Sequence, residues 1–279
     1  MTELVKRTLS GVVYVGVVVG CILYDEAAFI ALSAVLSLLA VREFNRLTHP
    51  RCRTDLLGES AAVILNLAIG SHLYAGLPVL NVFTLIYVVL VLAVLLAELW
   101  DKNGNPIANW GYALIGQVMI ALPFALMNMI NHLSPYLLLA VFVLIWTNDT
   151  GAYCVGSLTA KLPKGNHKMF PRVSPKKSWE GLFGGIALAV GAGLLLAYFG
   201  WFDRLSDGMN HYLVGVCFAL LVAVFGTLGD LMESLLKRTI GVKDSGRFLP
   251  GHGGVLDRFD SILLAVPVIA LFLIIVLYL

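Results

Sequence analysis

The chain has 279 residues, of which 59% are hydrophobic and only 13% are charged. Soluble domains carry about 25% charged residues, so this composition excludes an ordinary water-soluble protein. The chain has 19 Lys and Arg residues and 17 Asp and Glu residues, and the net charge of +2 gives no basic field for nucleic acid. Four scattered cysteines without a CxxC pair predict neither a disulfide framework nor a zinc site. We therefore expect a membrane protein with no nucleic-acid partner.

Uncharged stretches predict about nine transmembrane helices, because a bilayer core needs about 20 apolar residues per helix. The stretches 61–97 and 103–148 are too long for one span each, and we expect them to turn at 76–78 and 131–135. The uncharged stretches that we assign to spans, in chain order, are 9–24, 27–41, 61–97, 103–148, 181–202, 212–229 and 261–279.

The first stretch has an alternative interpretation as a cleaved signal peptide. Lys6 and Arg7 precede the apolar run, and residues 18–21 resemble a lipoprotein cleavage site. Apolar sequence continues past Cys21 and many further spans follow, which favours a retained helix. If the amino terminus is cytoplasmic, 18 of the 19 Lys and Arg residues fall on the cytoplasmic side and only Arg204 falls outside. This asymmetry predicts a multi-pass protein of the cytoplasmic membrane.

A polar segment from 230 to 260 carries the residue types of a phosphate site. Asp230, Ser234, Lys237 and Arg238 recur at i, i+4, i+7 and i+8, so they line one face of a helix that continues from the preceding span. An ionisable group near a membrane boundary is a functional candidate. Alternatively, Lys237 and Arg238 belong to an interfacial helix end and meet lipid headgroups.

A glycine-rich run follows this helix. Lys243 and Asp244 precede it, and His252, Gly253 and Gly254 close it. Glycines let backbone N–H groups approach an anion closely, as in loops that bind phosphate. The alternatives are a simple connecting turn and an ordinary hydrogen-bonded loop histidine.

Two carboxylates stand three residues apart before the last span, Asp257 and Asp260, with Arg258 between them. Hard carboxylate oxygens without Cys or His beside them suit Mg²⁺, which takes one or two carboxylates plus phosphates and water. The alternative for Asp260 is the N-cap of the last helix.

An earlier polar segment carries Asp149 and then Ser174, Lys176 and Lys177. Asp149 is isolated in a long uncharged run at the predicted end of a span, which favours a buried polar role over a solvated one. Lys176 and Lys177 could bind a triphosphate or anchor the loop to anionic lipid.

The run from Ser234 to Asp260 resembles, without a departure, the signature of the phosphatidate cytidylyltransferases, or CDP-diacylglycerol synthases. Segments 149–153 and 174–181 also look like those of this family. The resemblance covers about 146–279, whereas 1–145 is similar only in being hydrophobic. We treat 1–279 as a single polytopic membrane domain, all α-helical, with a polar site that faces the cytoplasm.

The resemblance implies a nucleotidyltransferase of phospholipid biosynthesis that transfers CMP from CTP to phosphatidic acid. It implies a homodimer in contact with membrane lipids and a requirement for Mg²⁺, with a second cation possible. The family's metal-binding acids map to Asp230 and Asp257, and Asp260 is a possible supporting ligand. The expected catalytic residues are Asp230, Ser234, Lys237, Arg238, Asp257 and Arg258. The expected substrate-binding residues are Asp149, Ser174, Lys176, Lys177, Lys243, Asp244, His252, Gly253 and Gly254.

Two other functions stay open at this point. A related CTP-dependent enzyme could act on another lipid, such as an ether-lipid phosphate or a polyprenol, because the sequence does not measure tail chemistry. A secondary transporter would also place charges among many spans. Transporter sites, however, lie near the midplane on broken helices, often with repeat symmetry that this sequence does not show.

Overall fold

The computed structural model describes residues 3–48, 54–100, 105–163, 165–205, 210–246 and 253–278. Helices dominate these residues. They are α1 (Glu3–Tyr24), α2 (Glu26–Thr48), α3 (Asp55–Ala75), α4 (Val82–Ala97), α5 (Pro106–Ile115), α6 (Leu122–Leu133), α7 (Pro135–Thr159), α8 (Trp179–Tyr198), α9 (His211–Ile240), α10 (Leu256–Phe259) and α11 (Ile262–Tyr278). Two short strands, β1 (Lys168–Phe170) and β2 (Ser174–Ser178), pair in an antiparallel hairpin.

Seven helical segments in the described ranges are long and apolar enough to cross a membrane, which confirms an α-helical membrane protein. The first and last predicted spans correspond to shorter apolar helices, Ser10–Tyr24 and Ile262–Leu277. The count of nine crossings therefore stays a prediction. The seven longer segments are Glu26–Thr48, Asp55–Ala75, Val82–Trp100, Pro106–Leu133, Pro135–Thr159, Trp179–Tyr198 and His211–Ile240.

The predicted breaks between helices are confirmed. The α1 and α2 helices meet at Asp25, whose carboxylate accepts a hydrogen bond from the Ala27 N–H at 3.1 Å. The α3 helix ends before Gly76, which has a left-handed φ of 62° that glycine adopts without strain. Ser134 has an extended backbone and separates α6 from α7.

Two features of the fold are absent from the sequence-based prediction. A π-helical turn, Gly116–Ala121, joins α5 to α6 and precedes Pro123, which has no N–H to donate within the helix. The β1–β2 hairpin leads directly into α8, where the Ser178 side chain caps the helix by accepting the Gly181 N–H at 3.2 Å.

The chain divides into two compact units. The first unit comprises Met1–Pro135 and Val242–Phe259, and the second comprises Tyr136–Gly241 and Asp260–Leu279. Buried polar side chains link the helices of the first unit: the Ser33 hydroxyl donates to Asn128 Oδ1 at 2.9 Å, and Asn128 Nδ2 donates to Asn66 Oδ1 at 3.4 Å. Such bonds join helices where the surrounding lipid offers no partner.

Glycines bring the helices of the second unit into backbone contact. A Cβ atom on Gly185 of α8 would lie 2.6 Å from Asn148 Oδ1 of α7, and one on Gly193 would lie 2.8 Å from the Gly215 carbonyl oxygen of α9. A larger residue at either position would push the helices apart. The α9 helix and strand β2 of the hairpin also pack against α8.

Candidate active site

The second unit contains a pocket of about 270 Å³ between the hairpin and the helices α7, α8 and α9. Its lining includes four residues that the sequence predicts to be functional: Asp149, Lys176, Lys177 and Asp230. The sequence analysis did not select Asn148 and Thr227, which also line it. The structure therefore brings both polar segments of this unit to one place.

Asp230 is the best-connected acid of this pocket. Its Oδ2 atom lies 2.6 Å from Lys177 Nζ, and its Oδ1 atom accepts a hydrogen bond from the Ser234 hydroxyl at 3.2 Å. Lys177 also donates to the Thr227 carbonyl oxygen at 3.3 Å. The ion pair and the two hydrogen bonds fix the orientation of the Asp230 carboxylate and the Lys177 ammonium at the pocket wall.

Asp149 does not lie at the end of a helix as the sequence analysis predicts. The α7 helix continues past it to Thr159, so Asp149 lies inside the helix. Its side chain lines the pocket together with residues of the hairpin, α8 and α9. A buried polar role for this acid stays a prediction.

Asn148 is a site residue that the sequence analysis missed. It is buried, its Nδ2 atom donates to the Thr227 hydroxyl at 3.2 Å, and its Oδ1 atom has no hydrogen-bond partner. A buried carbonyl oxygen without a donor is costly unless a ligand satisfies it. The only signal in the sequence is an amide next to Asp149 in an otherwise uncharged run.

Asp260 adds a third acid to the second unit. Burial raises the pKa of Asp260 well above its ordinary value, and the nearby negative charges of Asp230 and Glu233 raise it further. Its Oδ1 atom accepts the N–H of the next residue, Ser261, at 2.6 Å. Because α11 begins at Ile262, the N-cap position belongs to Ser261 and not to Asp260.

Lys237 has a partner that the phosphate-site interpretation overlooked. Its ammonium lies 2.5 Å from the Glu233 carboxylate one helical turn earlier, and both residues are buried. Arg238 is exposed, and its Nε atom donates to the Val173 carbonyl oxygen at 3.4 Å. The i, i+4 spacing of Glu233 and Lys237 was the available signal for this pair.

The remaining predicted residues of the second unit lie in the hairpin. Ser174 begins β2 opposite Phe170 and is half-buried, and Lys176 is exposed at the pocket. Their assignment to substrate binding stays a prediction.

The glycine-rich residues of the first unit surround a protein carboxylate. Asp257 Oδ2 accepts hydrogen bonds from the Ser245 N–H and the Gly254 N–H, both at 2.8 Å, and lies 3.0 Å from the Ser245 hydroxyl, which is equally close to a second carboxylate, that of Glu43. Gly253 has a left-handed φ of 86°. In this structure the Gly254 N–H donates to Asp257, and the binding of substrate phosphate by Gly253 and Gly254 stays a prediction.

Three predicted residues of this unit, Lys243, Asp244 and Arg258, are exposed. His252 lies outside the described residues. Substrate binding by these side chains stays a prediction.

The acids of the second unit fit a hard cation. In the described ranges, no three His, Cys, Asp or Glu side chains form a preassembled metal-binding group. Mg²⁺ needs only one or two protein carboxylates when substrate phosphates and water complete its shell. The crowded carboxylates of Asp230 and Asp260 supply such oxygens, and the unpartnered Asn148 carbonyl is a further hard oxygen in the same unit.

Comparison with known proteins covers nearly the whole chain. The sequence profile of the Cytidylyltransferase family matches residues 5–276. A protein of Staphylococcus aureus named phosphatidate cytidylyltransferase is 31% identical over 272 residues, which are 96% of this chain and 98% of the relative. The proteins of the same name from Staphylococcus epidermidis and Staphylococcus haemolyticus are 33% and 28% identical, over 91% and 96% of this chain and 91% and 98% of the relatives.

This range corrects one expectation. The resemblance was placed from about residue 146 onward, but the family match begins at residue 5 and includes the amino-terminal helices. The resemblance of these helices is hard to recognise in the sequence, because apolar residues substitute for one another within lipid-facing helices. Given a match across both units, the chain belongs to the cytidylyltransferase family and is a membrane-embedded nucleotidyltransferase.

Proposed function

We propose that the protein transfers CMP from CTP to phosphatidic acid and releases pyrophosphate, which yields CDP-diacylglycerol. The observation that carries this proposal is the Lys177–Asp230 pair in an open pocket of a chain related over 272 residues to a protein named phosphatidate cytidylyltransferase. Phospholipid biosynthesis is the process this reaction serves.

The reaction is an in-line displacement at phosphorus. A phosphate oxygen of phosphatidate attacks the α-phosphorus of CTP, a new P–O bond forms, and the bond to the β-phosphate oxygen breaks as pyrophosphate leaves. Two polyanions must approach each other, so charge neutralisation and alignment supply most of the catalysis. Phosphatidate is ionised at neutral pH and needs no general base, and we therefore assign His252 a positioning role.

The side chains of the pocket suit these tasks. Lys176 and Lys177 are the cations at its wall and bind the CTP phosphates in this proposal. Lys177 exchanges its contact with Asp230 for a phosphate oxygen when CTP binds. Ser234 keeps Asp230 oriented through its hydroxyl during that exchange. Exposed Arg238 and Arg258 offer planar, bidentate contacts to phosphate.

Asp230 and Asp260 are the proposed holders of Mg²⁺, with the Asn148 carbonyl as a further oxygen. The ion would neutralise the charge that develops on the phosphates. Assignment of Asp257 to the metal stays a prediction. The hydrogen bonds to its Oδ2 are compatible with that role, because carboxylates that bind metals are normally held by donors of this kind.

The substrates determine where such a site must lie. Diacylglycerol tails stay in hydrocarbon, whereas CTP arrives from water, so the reaction belongs at the cytoplasmic interface. The strongly one-sided distribution of Lys and Arg supports this orientation. The homodimer implied by the resemblance stays a prediction.

Product identification tests the proposal directly. Purified protein in detergent is incubated with CTP radiolabelled at the α-phosphate, Mg²⁺ and either phosphatidate or an ether-lipid phosphate. We expect a CMP-bearing lipid from phosphatidate and release of pyrophosphate. A product from the ether-lipid phosphate alone would replace the proposed acceptor, and no labelled lipid from either acceptor would refute the proposed reaction.

A further inference from the structure

We propose that Glu43, on helix α2, is a positioning residue that joins Ser245 to the segment Gly254–Leu256 and orients Asp257. The inference rests on the proposed function only in supposing that this segment serves CTP. Glu43 lies more than 200 positions from its partners in sequence, and all of them belong to the first unit.

Both oxygens of Glu43 accept hydrogen bonds from the segment that follows the glycines. Oε1 accepts the Val255 N–H at 2.9 Å, and Oε2 accepts the Leu256 N–H at 2.9 Å. These N–H groups stand at the start of α10, whose first donors have no partners within the helix. A carboxylate also suits the positive end of a helix. Glu43 thus binds the carboxyl-terminal end of the glycine-rich run.

The same carboxylate reaches the amino-terminal end of the run. Oε2 accepts the Ser245 hydroxyl at 3.0 Å, and a Cβ atom on Gly246 would lie 2.5 Å from Oε1 and 3.3 Å from the Gly254 Cα. Only glycine fits beside the carboxylate at this distance. Gly246 and Gly254 therefore pack together beside the Glu43 carboxylate.

Ser245 connects Glu43 to Asp257. The Ser245 hydroxyl lies 3.0 Å from an oxygen of each carboxylate, and its N–H donates to Asp257 at 2.8 Å. The hydroxyl has a single proton, which the two carboxylates share. Displacement of Ser245 would therefore remove its N–H and this shared proton from Asp257 Oδ2, and would leave the Gly254 N–H. Glu43 acts on Asp257 through this residue, without touching the substrate.

Helix α2 holds Glu43 in a fixed position. The neighbours of Glu43 on the chain, Val41 and Phe44, are almost fully buried, and α10 packs against α2. A side chain anchored in a packed helix holds a loop more firmly than another loop residue would.

Replacement by glutamine tests the role with little change of shape. The Glu43→Gln amide keeps one acceptor oxygen but turns an NH₂ group toward N–H or O–H donors, which leaves buried donors unpaired. We expect kcat/KM for CTP to fall roughly 10- to 100-fold. Glu43→Asp keeps both acceptor oxygens and should recover part of that loss.

Trypsin cleavage after Arg247 gives a measurement that needs no catalysis. Arg247 lies in the run between Gly246 and Gly254. In Glu43→Gln we expect the rate of cleavage at this bond to rise several-fold over wild type, with the midpoint of thermal unfolding unchanged within a few degrees. Glu26→Gln is the matched control, because Glu26 starts the same helix and contacts His132 instead.

The outcomes separate this inference from the proposed function. Unchanged cleavage after Arg247 in Glu43→Gln would overturn the positioning role, and so would equal effects in Glu26→Gln. A uniform rise in cleavage at all sites with a lower unfolding midpoint would reassign Glu43 to general stability. Faster cleavage after Arg247 in Glu43→Gln, together with no CMP-bearing lipid from the wild-type protein, would support the positioning role of Glu43 and refute the proposed reaction.

Discussion

Carboxylates in the two units differ in the charges around them. In the first unit, Glu43 and Asp257 accept hydrogen bonds from backbone N–H groups and from one serine hydroxyl. In the second unit, Asp230 and Asp260 also accept a serine hydroxyl and a backbone N–H, but Asp230 pairs with a lysine and Asp260 lies near other negative charges. Neutral donors fix the course of the backbone, whereas crowded acids attract a cation. The residue type alone therefore does not show which acids hold a loop in place and which are available to bind a cation.

The same substitution in each unit tests this difference, beginning with the largest expected effect. Asp230→Asn removes the charge that faces Lys177 and the proposed Mg²⁺. We expect kcat to fall roughly 100- to 1,000-fold and the Mg²⁺ concentration for half-maximal rate to rise. A titration of Mg²⁺ at saturating CTP measures both. Asp203→Asn, in a short helical turn of the same unit, is the control, and equal loss there would point to folding instead.

Asp257→Asn is expected to act on the loop. The amide presents donors to the N–H groups of Ser245 and Gly254, so we expect kcat/KM for CTP to fall roughly 10- to 100-fold. Cleavage after Arg247 should rise as in Glu43→Gln. If the Mg²⁺ requirement rises as much as in Asp230→Asn, the contrast between the units fails and Asp257 binds the cation as the sequence predicts.

Two adjacent lysines give the smallest and most local comparison. Lys177 contacts Asp230, whereas Lys176 is exposed at the same pocket. We expect Lys177→Ala to lower kcat/KM for CTP roughly tenfold, because it removes a charge-assisted contact to phosphate, and Lys176→Ala to change it less than about threefold. Steady-state rates at varied CTP measure the two effects. Equal effects would mean that the ion pair does not distinguish the two cations.

Local signals in the sequence were sufficient for the helices and for part of the pocket. Asp25, Gly76 and Ser134 interrupt apolar runs at the helix ends, because charge, left-handed backbone and extended backbone end helices. Asp230 and Lys177 stand out as rare charges in apolar sequence. Both kinds of signal depend on residues that are close together along the chain.

Contacts between residues that are far apart along the chain could not be predicted from the sequence. Nothing in the sequence around Glu43 indicates that it accepts hydrogen bonds from Ser245, Val255 and Leu256. Asn148 is one amide among many until its carbonyl is seen buried without a donor. The i, i+4 spacing indicates the Glu233–Lys237 pair, but a lysine at this position also fits a phosphate site, and the spacing does not decide between the two. Hydrogen-bond partners across the fold follow from packing, which no local pattern records.

The glycine at position 185 has a consequence for how the pocket can change shape. A Cβ atom there would lie 2.6 Å from Asn148 Oδ1 and 2.7 Å from the Asn148 carbonyl oxygen, so α8 places no side chain of its own between the two helices. A rotamer change in α8 at this point therefore cannot move α7 away. We expect any adjustment of the pocket to ligands of different size to involve the side chains of Met169, Lys176 and Lys177 in the hairpin.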